Sequence, residues 1–539
     1  MATSAQRVYR AACPNCGAAV EFASAASTTA VCSFCRSTLV RDGDALRRIG
    51  ISAELFDDHS PLQLGANGTR QGVAFTLVGR LQYGYEGGTW NEWHALFDNG
   101  PAGPRSAWLS EDNGAYVVAF AAPLPSDAPR IDDLRVGQRV LADGRAWDVA
   151  SVVRAKLIAA QGELPQPPNL TGEFTVIDLR NSAGEVATLD ASDAAKVQWS
   201  MGRSVLLSEL SMGGLREASE KTLGSRSVEC PSCGAALDVE LGSTQSIACR
   251  QCSAVVDLSA GVGGELKHYA QNNAGERGAE PQIPLGNTGT LALGTAPLPW
   301  QVVGYQERCD IPEDAEEETT FWREYLLYNR TQGFAFLVDS NDGWSWVKPV
   351  TGAPAVRGDT AQWQNVKYQK RWAYAAKVTW VQGEFYWRVQ RDERAHVTDY
   401  EGQGKDSALR LSREQTGNEV TWSAGETMNA GDVADAFANA AGSAAGSAAG
   451  SRAALQRDVL PTAGGKSGLA KGFVILAIVL IVIAVLVTCS NDDCTDVRRT
   501  FGAASTEYQQ CQRSSGSGYR GGTGGGSYGG YSSGGGGHK

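Results

Sequence analysis

The sequence has little histidine and lacks the common motifs of nucleotide chemistry. Five histidines and four methionines occur among its 539 residues. The histidines show no convergent spacing, so neither a catalytic triad nor a metal–histidine site is predicted. No P-loop occurs, and no G-x-G-x-x-G segment lies between a predicted strand and a predicted helix. These absences argue against a histidine-based active site and against a nucleotide-binding site of either kind.

An excess of basic charge is also missing. The net charge is −11 and the isoelectric point is about 5.2, which argues against a general binder of phosphate backbones. Residues 1–50 hold six arginines against three acidic residues, so nucleic-acid binding by this segment alone stays open as a minor alternative. Residues 1–10 are polar and predict no signal peptide.

Eight of the twelve cysteines form two quartets that have the same C-x2-C-x15-C-x2-C spacing, offset by 217 residues. Two close pairs across a 15-residue excursion suit one tetrahedral zinc ion, and a site with four cysteine ligands is closed, hence structural. Redox pairs and disulfides are the alternatives, and four pairs in two matched quartets favour zinc. The predicted zinc ligands are Cys13, Cys16, Cys32, Cys35, Cys230, Cys233, Cys249 and Cys252.

Glycine follows the second cysteine of the first pair in both quartets, at Gly17 and Gly234. A knuckle turn needs a residue that tolerates a positive φ at this place, so both glycines are predicted to adopt one.

The duplication extends beyond the cysteines, which indicates two tandem units over residues 1–222 and 223–428. Each unit is predicted to contain a zinc ribbon followed by a larger domain. The matched segments are 64–69 with 285–290, 78–79 with 303–304, 90–93 with 322–325, 108–109 with 336–337, 155–163 with 376–384 and 197–202 with 420–425.

The larger domains are predicted to be β. Short runs rich in β-branched and aromatic residues alternate with Gly, Asn and Asp turns, and helical periodicity is absent until about residues 428–440. The fold class is therefore mainly β, with a barrel-like or sandwich-like domain in each unit. The predicted boundaries are 1–50 and 223–270 for the ribbons, 51–222 and 271–428 for the β domains, and 429–468 for a flexible stalk.

A membrane span is predicted at 469–489. Gly472 to Cys489 contains 18 residues without charge, which as a helix would approach the thickness of a hydrocarbon core. Basic residues precede the span and Asp492, Asp493 and Asp496 follow it, so the N-terminal part is predicted to be cytoplasmic. The tail, 490–539, is predicted to be short, Gly/Ser-rich, disordered and outside, and a Cys494–Cys511 disulfide stays open.

Two glutamates recur between the units, Glu92 with Glu324 and Glu163 with Glu384. Acid–base catalysis is one interpretation of these pairs, and a structural role that accepts hydrogen bonds is the favoured one. The recurring aromatic residues around them are predicted to pack in the core, with a ligand-binding platform as the alternative.

These matched segments resemble the bacterial domain of unknown function 4178 family. The shared pattern is an L-G-x-x-G-T turn, a V-G strand end, W-x-E-[WY], a [WF]-L strand with a D-x-G turn, Q-G-E and W-S-x-G. Two copies are expected, around 60–215 and 280–428. The resemblance implies a bacterial inner-membrane setting, and partners in envelope or membrane-stress systems such as phage-shock-type coat proteins.

Together these features predict a non-catalytic, membrane-tethered cytoplasmic adaptor with two structural zinc ions and protein partners at the inner membrane face. The alternative is an enzyme or ligand-processing domain that uses Glu92/Glu324 or Glu163/Glu384.

Overall fold

The computed structural model describes sixteen stretches of the chain and one isolated residue. They are 9–22, 29–42, 45–51, 60–85, 88–98, 103–112, 115–168, 172–193, 196–216, 226–241, 244–258, 266–271, 281–312, 318–329, 332–389, 393–438 and 455. Strands dominate these residues, and a single α-helix occurs among them. The predicted mainly β fold class is confirmed.

Each quartet lies in a small module of β-hairpins. Module one contains β1 (Tyr9–Ala12), β2 (Ala19–Phe22), β3 (Thr29–Val31), β4 (Ser37–Asp42) and β5 (Ala45–Ile51). Module two contains β16 (Arg226–Glu229), β17 (Ala236–Val239), β18 (Ser246–Ala248), β19 (Val255–Asp257) and β20 (His268–Tyr269). In each module two antiparallel hairpins, β1–β2 with β3–β4 and β16–β17 with β18–β19, carry one cysteine pair apiece at their turns.

Barrel one follows module one. Its strands are β6 (Asn67–Arg70), β7 (Val73–Tyr85), β8 (Gly88–Phe97), β9 (Arg105–Asp112), β10 (Ala115–Ala122), β11 (Arg139–Ala142), β12 (Arg145–Leu164), β13 (Phe174–Arg180), β14 (Glu185–Asp190) and β15 (Gln198–Val205). Antiparallel pairing in the order β7-β8-β9-β10-β15-β14-β13-β12 returns to β7 and closes a ring among the described strands.

Barrel two repeats this topology. Its strands are β21 (Thr288–Leu291), β22 (Leu298–Ile311), β23 (Phe321–Asn329), β24 (Gly333–Ser340), β25 (Gly343–Val350), β26 (Ala355–Arg357), β27 (Thr360–Trp363), β28 (Val366–Phe385), β29 (Arg394–Gly402), β30 (Leu409–Thr416) and β31 (Glu419–Met428). The ring β22-β23-β24-β25-β31-β30-β29-β28 closes again on β22.

Successive side chains of a strand point to opposite faces of the barrel wall, and both faces are packed. On β23, Trp322 and Leu326 belong to one buried cluster, whereas Tyr325 and Leu327 belong to another. Because both faces of this wall are covered, β24 is buried over its whole length, Gly333–Ser340.

Each module is joined to its barrel by strand pairing. β3 pairs with the end of β12 through Gly162↔Val31 and Glu163↔Ala30. In the second unit β18 pairs with the end of β28 through Ser246↔Phe385 and Ile247↔Glu384. The second hairpin of each module therefore extends the sheet of the barrel that follows it.

The V-G and Q-G-E motifs meet at this junction. Gly79 pairs with Gly162, and Gly304 pairs with Gly383. A Cβ on Gly162 would lie 2.3 Å from the Val78 carbonyl oxygen. The recurring glycines thus permit a close crossing of two long strands, directly beside the recurring glutamates.

Barrel two is also covered by residues from the predicted stalk. The helix α1 (Ala430–Ala438) places Phe437 against Gly289, where an added Cβ would lie 2.8 Å from its ring. Leu455 is 1 % exposed, and its carbonyl accepts a hydrogen bond from the Trp344 indole N–H at 3.1 Å. Part of the 429–468 segment is thus packed on the barrel.

No helix among the described residues is long enough and apolar enough to cross a membrane. The predicted span at 469–489 and the predicted tail at 490–539 lie outside the described residues.

Backbone hydrogen bonds join the two units within the described residues. The Val152 N–H donates to the Asn418 carbonyl at 3.1 Å, and the Ala353 N–H donates to the Asn181 carbonyl at 3.2 Å. A cleft between the barrels lies beside the second contact.

Candidate metal centres and the recurring carboxylates

The structure brings each predicted cysteine quartet together. Within each quartet the sulfur atoms all lie within 4.8 Å of one another. The Cys13–Cys35 and Cys16–Cys32 sulfurs are 3.6 and 3.7 Å apart, and their counterparts in module two are 3.7 and 3.8 Å apart. Metal–sulfur bonds of about 2.3 Å around a tetrahedral ion require sulfur separations of about 3.8 Å. Each cluster could therefore hold one metal ion, and its size is consistent with zinc.

The backbone of all four knuckles has the same form. Gly17 N–H donates to the Cys13 carbonyl at 2.8 Å, and Gly234 N–H donates to the Cys230 carbonyl at 2.8 Å. Both glycines have a positive φ, 76° and 75°, as their position predicted. The second pair of each quartet uses Arg36 and Ser253 at this place, with φ values of 57° and 59°. Sequence reasoning missed these two residues because neither is glycine.

Within a quartet, ionisation of one thiol disfavours ionisation of the others. Hydrogen bonds from the Ser37 hydroxyl, then from the Asn15 side chain and the Ser37 backbone, lower the pKa of Cys35 to about 5. The Ala18 backbone lowers the pKa of Cys16, but the neighbouring thiols and burial outweigh it and raise this pKa to about 12. Without a cation, one thiolate thus suppresses ionisation of the next. A bound divalent ion would allow all four to ionise, which is the chemistry expected of a metal site.

Glu384 connects module two to barrel two. Its carboxylate accepts the Glu240 N–H at 2.8 Å, the Leu241 N–H at 3.0 Å and the Thr244 hydroxyl. Burial raises the pKa of Glu384, and the three hydrogen bonds oppose that rise. A carboxylate held by two backbone N–H groups has the contacts of a structural residue, and these contacts argue against its use as a catalytic acid or base.

Glu163 occupies the same junction in unit one. Its backbone carbonyl lies 2.9 Å from His94 Nδ1, and His94 Nε2 lies 3.0 Å from the Ser106 hydroxyl. Burial lowers the pKa of His94 to about 4, so this histidine is neutral at physiological pH. Its role is that of a buried, hydrogen-bonded core residue. The counterparts of the three ribbon groups that bind Glu384 are residues 23, 24 and 27, which lie outside the described residues.

Glu324 lies inside barrel two within a buried polar network. Its carboxylate accepts the Gln306 amide at 2.6 Å and the Trp322 indole N–H at 2.7 Å, and lies 3.4 Å from Arg308. Arg308 also forms a two-pronged contact with Glu414, at 2.8 and 3.1 Å. Burial lowers the pKa of Arg308, but the Glu414 and Glu324 carboxylates outweigh burial, so the pKa is raised. Sequence reasoning did not predict Arg308 or Glu414.

Unit one differs at this network. Glu92 is buried and lies 3.4 Å from the Trp90 indole nitrogen, but Tyr83 stands where unit two has Arg308. Burial raises the pKa of Tyr83, with added contributions from the Glu92 and Asp190 carboxylates. The recurring glutamate therefore keeps its indole partner in both copies, whereas the residue at the Arg308 position changes.

Most of the recurring aromatic side chains are buried in the described structure, as their predicted role in packing requires. Buried members are Trp90, Trp93, Trp199, Trp322, Tyr325, Trp344 and Trp422, whereas Trp108 and Trp380 are partly exposed.

We predict that Gly234→Ala weakens metal retention by module two about fivefold. A Cβ on Gly234 would have no neighbour within 4 Å, so the penalty comes from the positive φ alone and amounts to about 1 kcal/mol. Competition with a zinc chelator measures this change. The matched variant Ser253→Gly relieves the equivalent strain and should lose no affinity. An unchanged affinity in Gly234→Ala would contradict the knuckle argument.

A scan against family models identifies two tandem copies of one domain. The model described as Domain of unknown function (DUF4178) matches residues 63–207 and 288–430, together more than half of the chain. The two copies expected from the sequence are thereby confirmed. No curated protein and no solved structure matches the chain. The first match spans β6 to β15 and the second spans β21 to β31, so the chain belongs to the DUF4178 family through both of its barrels.

Proposed function

We propose that this protein is a non-catalytic adaptor, tethered to a membrane, in which two zinc-stapled barrels present binding surfaces to protein partners. The observation that carries the proposal is the position of Glu384. The recurring carboxylate that an enzyme would use is instead hydrogen-bonded to the backbone of the cysteine module. The residues that the two copies share therefore support the architecture, which favours a scaffold over a catalyst.

One zinc ion in each quartet completes this architecture. The ligands would be Cys13, Cys16, Cys32 and Cys35 in module one, and Cys230, Cys233, Cys249 and Cys252 in module two. Each set supplies all four ligands of a tetrahedral ion and leaves no coordination position open for water, so the zinc is structural. Metal binding of this kind contributes about 10–16 kcal/mol to the folding of a small module.

The tether is the uncharged segment within 469–489, and it would leave both barrels in the cytoplasm of a bacterial cell. The flanking charges and the reduced thiolates that zinc requires support this orientation. Leu455 packs on barrel two, which leaves residues 456–468 between this contact and the proposed span. Residues 456–468 would then reach at most about 45 Å, which keeps the second unit close to the inner membrane face.

Tethering raises the effective concentration of the barrels near other membrane components. Partners in envelope or membrane-stress systems, phage-shock-type coat proteins among them, are the class that the family resemblance implies.

The full chain should contain about two zinc ions, since each quartet is one tetrahedral site. Cys32→Ser should lower the zinc content to about one per chain, because the other quartet is built separately. Elemental analysis of the purified protein measures this ratio. Cys309→Ser is the matched control, because Cys309 is buried in barrel two outside both quartets and its loss should leave two ions. A full zinc content in Cys32→Ser would contradict the assignment.

Crosslinking in intact membranes should capture a reproducible set of proteins with the full chain. The set should shrink when serine replaces cysteine in both quartets, because the modules then lose their folding constraint. Deletion of residues 469–489 should release the chain from the membrane fraction and reduce capture. Recovery of no specific partner under any condition would count against the adaptor function.

A further inference from the structure

A cleft of about 870 Å³ lies between the two barrels. One wall comes from β10 and β15 with the turn at 182–184, and the other from β25, β27 and the turn that follows β27. The volume is in the range of small-molecule sites, which often form where two domains meet. The largely buried Trp363 gives the second wall an aromatic surface on the face of β25 that carries Val350, whereas Phe334 and Tyr386 pack with Val347 on the opposite face.

The charge of this cleft is opposite to that of the whole chain. The chain carries 59 acidic residues against 48 basic ones, yet the described lining of the cleft includes Arg203 and Lys348 and contains no acidic side chain. Arg203 is already paired, since it donates to Glu185 at 3.1 Å and to the Ala183 carbonyl at 3.1 Å. Lys348 has no ion pair or hydrogen bond to another side chain within the described part of the protein.

The Lys348 ammonium contacts two aromatic faces in the described structure. Its ammonium nitrogen lies 4.8 Å from the ring centre of Trp300 and 5.8 Å from that of Trp346. The side chain is half-buried, and burial lowers its pKa. A half-buried ammonium with aromatic neighbours and no counter-charge favours an incoming anion.

The first copy of the domain serves as an internal comparison. Phe120 stands on β10 where Lys348 stands on β25, as the equivalent pairings of Gly202 and Gly425 show. Phe120 packs against Phe97 with ring centres 5.4 Å apart, in an apolar cluster. The second copy therefore carries an ammonium at a position that an aromatic ring fills in the first copy.

The hairpin turn beside the cleft also differs from its counterpart in the first copy. The β11–β12 hairpin turns through Asp143 and Gly144, with φ values of 54° and 65°, a pair well suited to this conformation. The β27–β28 hairpin turns through Gln364 and Asn365 instead, with φ values of 48° and 67°. Glutamine is disfavoured there, and both side chains belong to the cleft lining. Amide side chains at the cleft thus replace the residues that the turn itself prefers.

We propose that the cleft between the barrels binds a small organic anion, with its carboxylate or phosphate group at Lys348 and its apolar body against Trp363, which packs with Val350 on the face of β25 that carries Lys348. Gln364 and Asn365 add amide hydrogen bonds at the rim. The site requires both units, so its occupancy couples them. This binding function is separate from the proposed adaptor role and does not depend on the cysteine modules.

A matched pair of fluorinated probes tests the site in the full chain. We would measure binding of 4-(trifluoromethyl)benzoate and of the neutral 4-(trifluoromethyl)benzamide by ¹⁹F NMR, with empty detergent micelles as the blank. The benzoate should bind about tenfold more tightly than the benzamide, as expected for one hydrogen bond to a charged group. Inorganic phosphate should compete with the benzoate at Lys348.

Lys348→Gln should abolish the preference for the benzoate, whereas Lys348→Arg should retain it. Lys367→Gln removes the same charge from an exposed position on β28 and should behave as the wild type. Circular dichroism and zinc content of each variant establish that it is folded. The proposal is overturned if neither probe binds at millimolar concentration, if the two probes bind equally to the wild type, or if folded Lys348→Gln keeps the preference.

Discussion

The structure depends on one repeated contact, the antiparallel pairing of a module hairpin with the end of the longest barrel strand. β3 meets β12 in the first unit and β18 meets β28 in the second. At this point two glycines let the long strands cross closely, and in unit two the Glu384 carboxylate binds the backbone of the module. A module too small to bury a large core thus gains a support from the barrel, in addition to any metal ion that its cysteines hold.

Residues shared by the two copies and residues that differ between them play different roles. The glycines of the V-G and Q-G-E motifs and the cysteine knuckles occupy the same positions in both units. The buried polar groups have been exchanged more freely. In unit one Arg80 binds Asn91 at 2.8 Å, whereas in unit two the arginine lies on the next strand, where Arg323 contacts Asp339 at 3.3 Å. The two copies therefore share an architecture and differ in their internal polar contacts and at the cleft wall.

Features governed by local spacing could be predicted from the sequence. The cysteine quartets, the duplicated units, the β class and the positive φ of Gly17 and Gly234 follow from short-range patterns. The role of Glu384 could not be derived in this way, because its partner Thr244 lies 140 residues away and strand pairing alone brings the two together. Arg308 with Glu414 and the charge of the cleft at Lys348 are likewise long-range results of barrel closure and of contact between the units.

The central claim is that a metal-held module and its barrel form one cooperative structure through this strand contact. Hydrogen–deuterium exchange of the full chain, before and after zinc removal by a chelator, tests the claim most directly. The account predicts faster exchange in β18 and in the last residues of β28, with little change in β29 and β30 on the other side of barrel two. Unchanged protection of β18 and of the end of β28 after complete metal removal would contradict it.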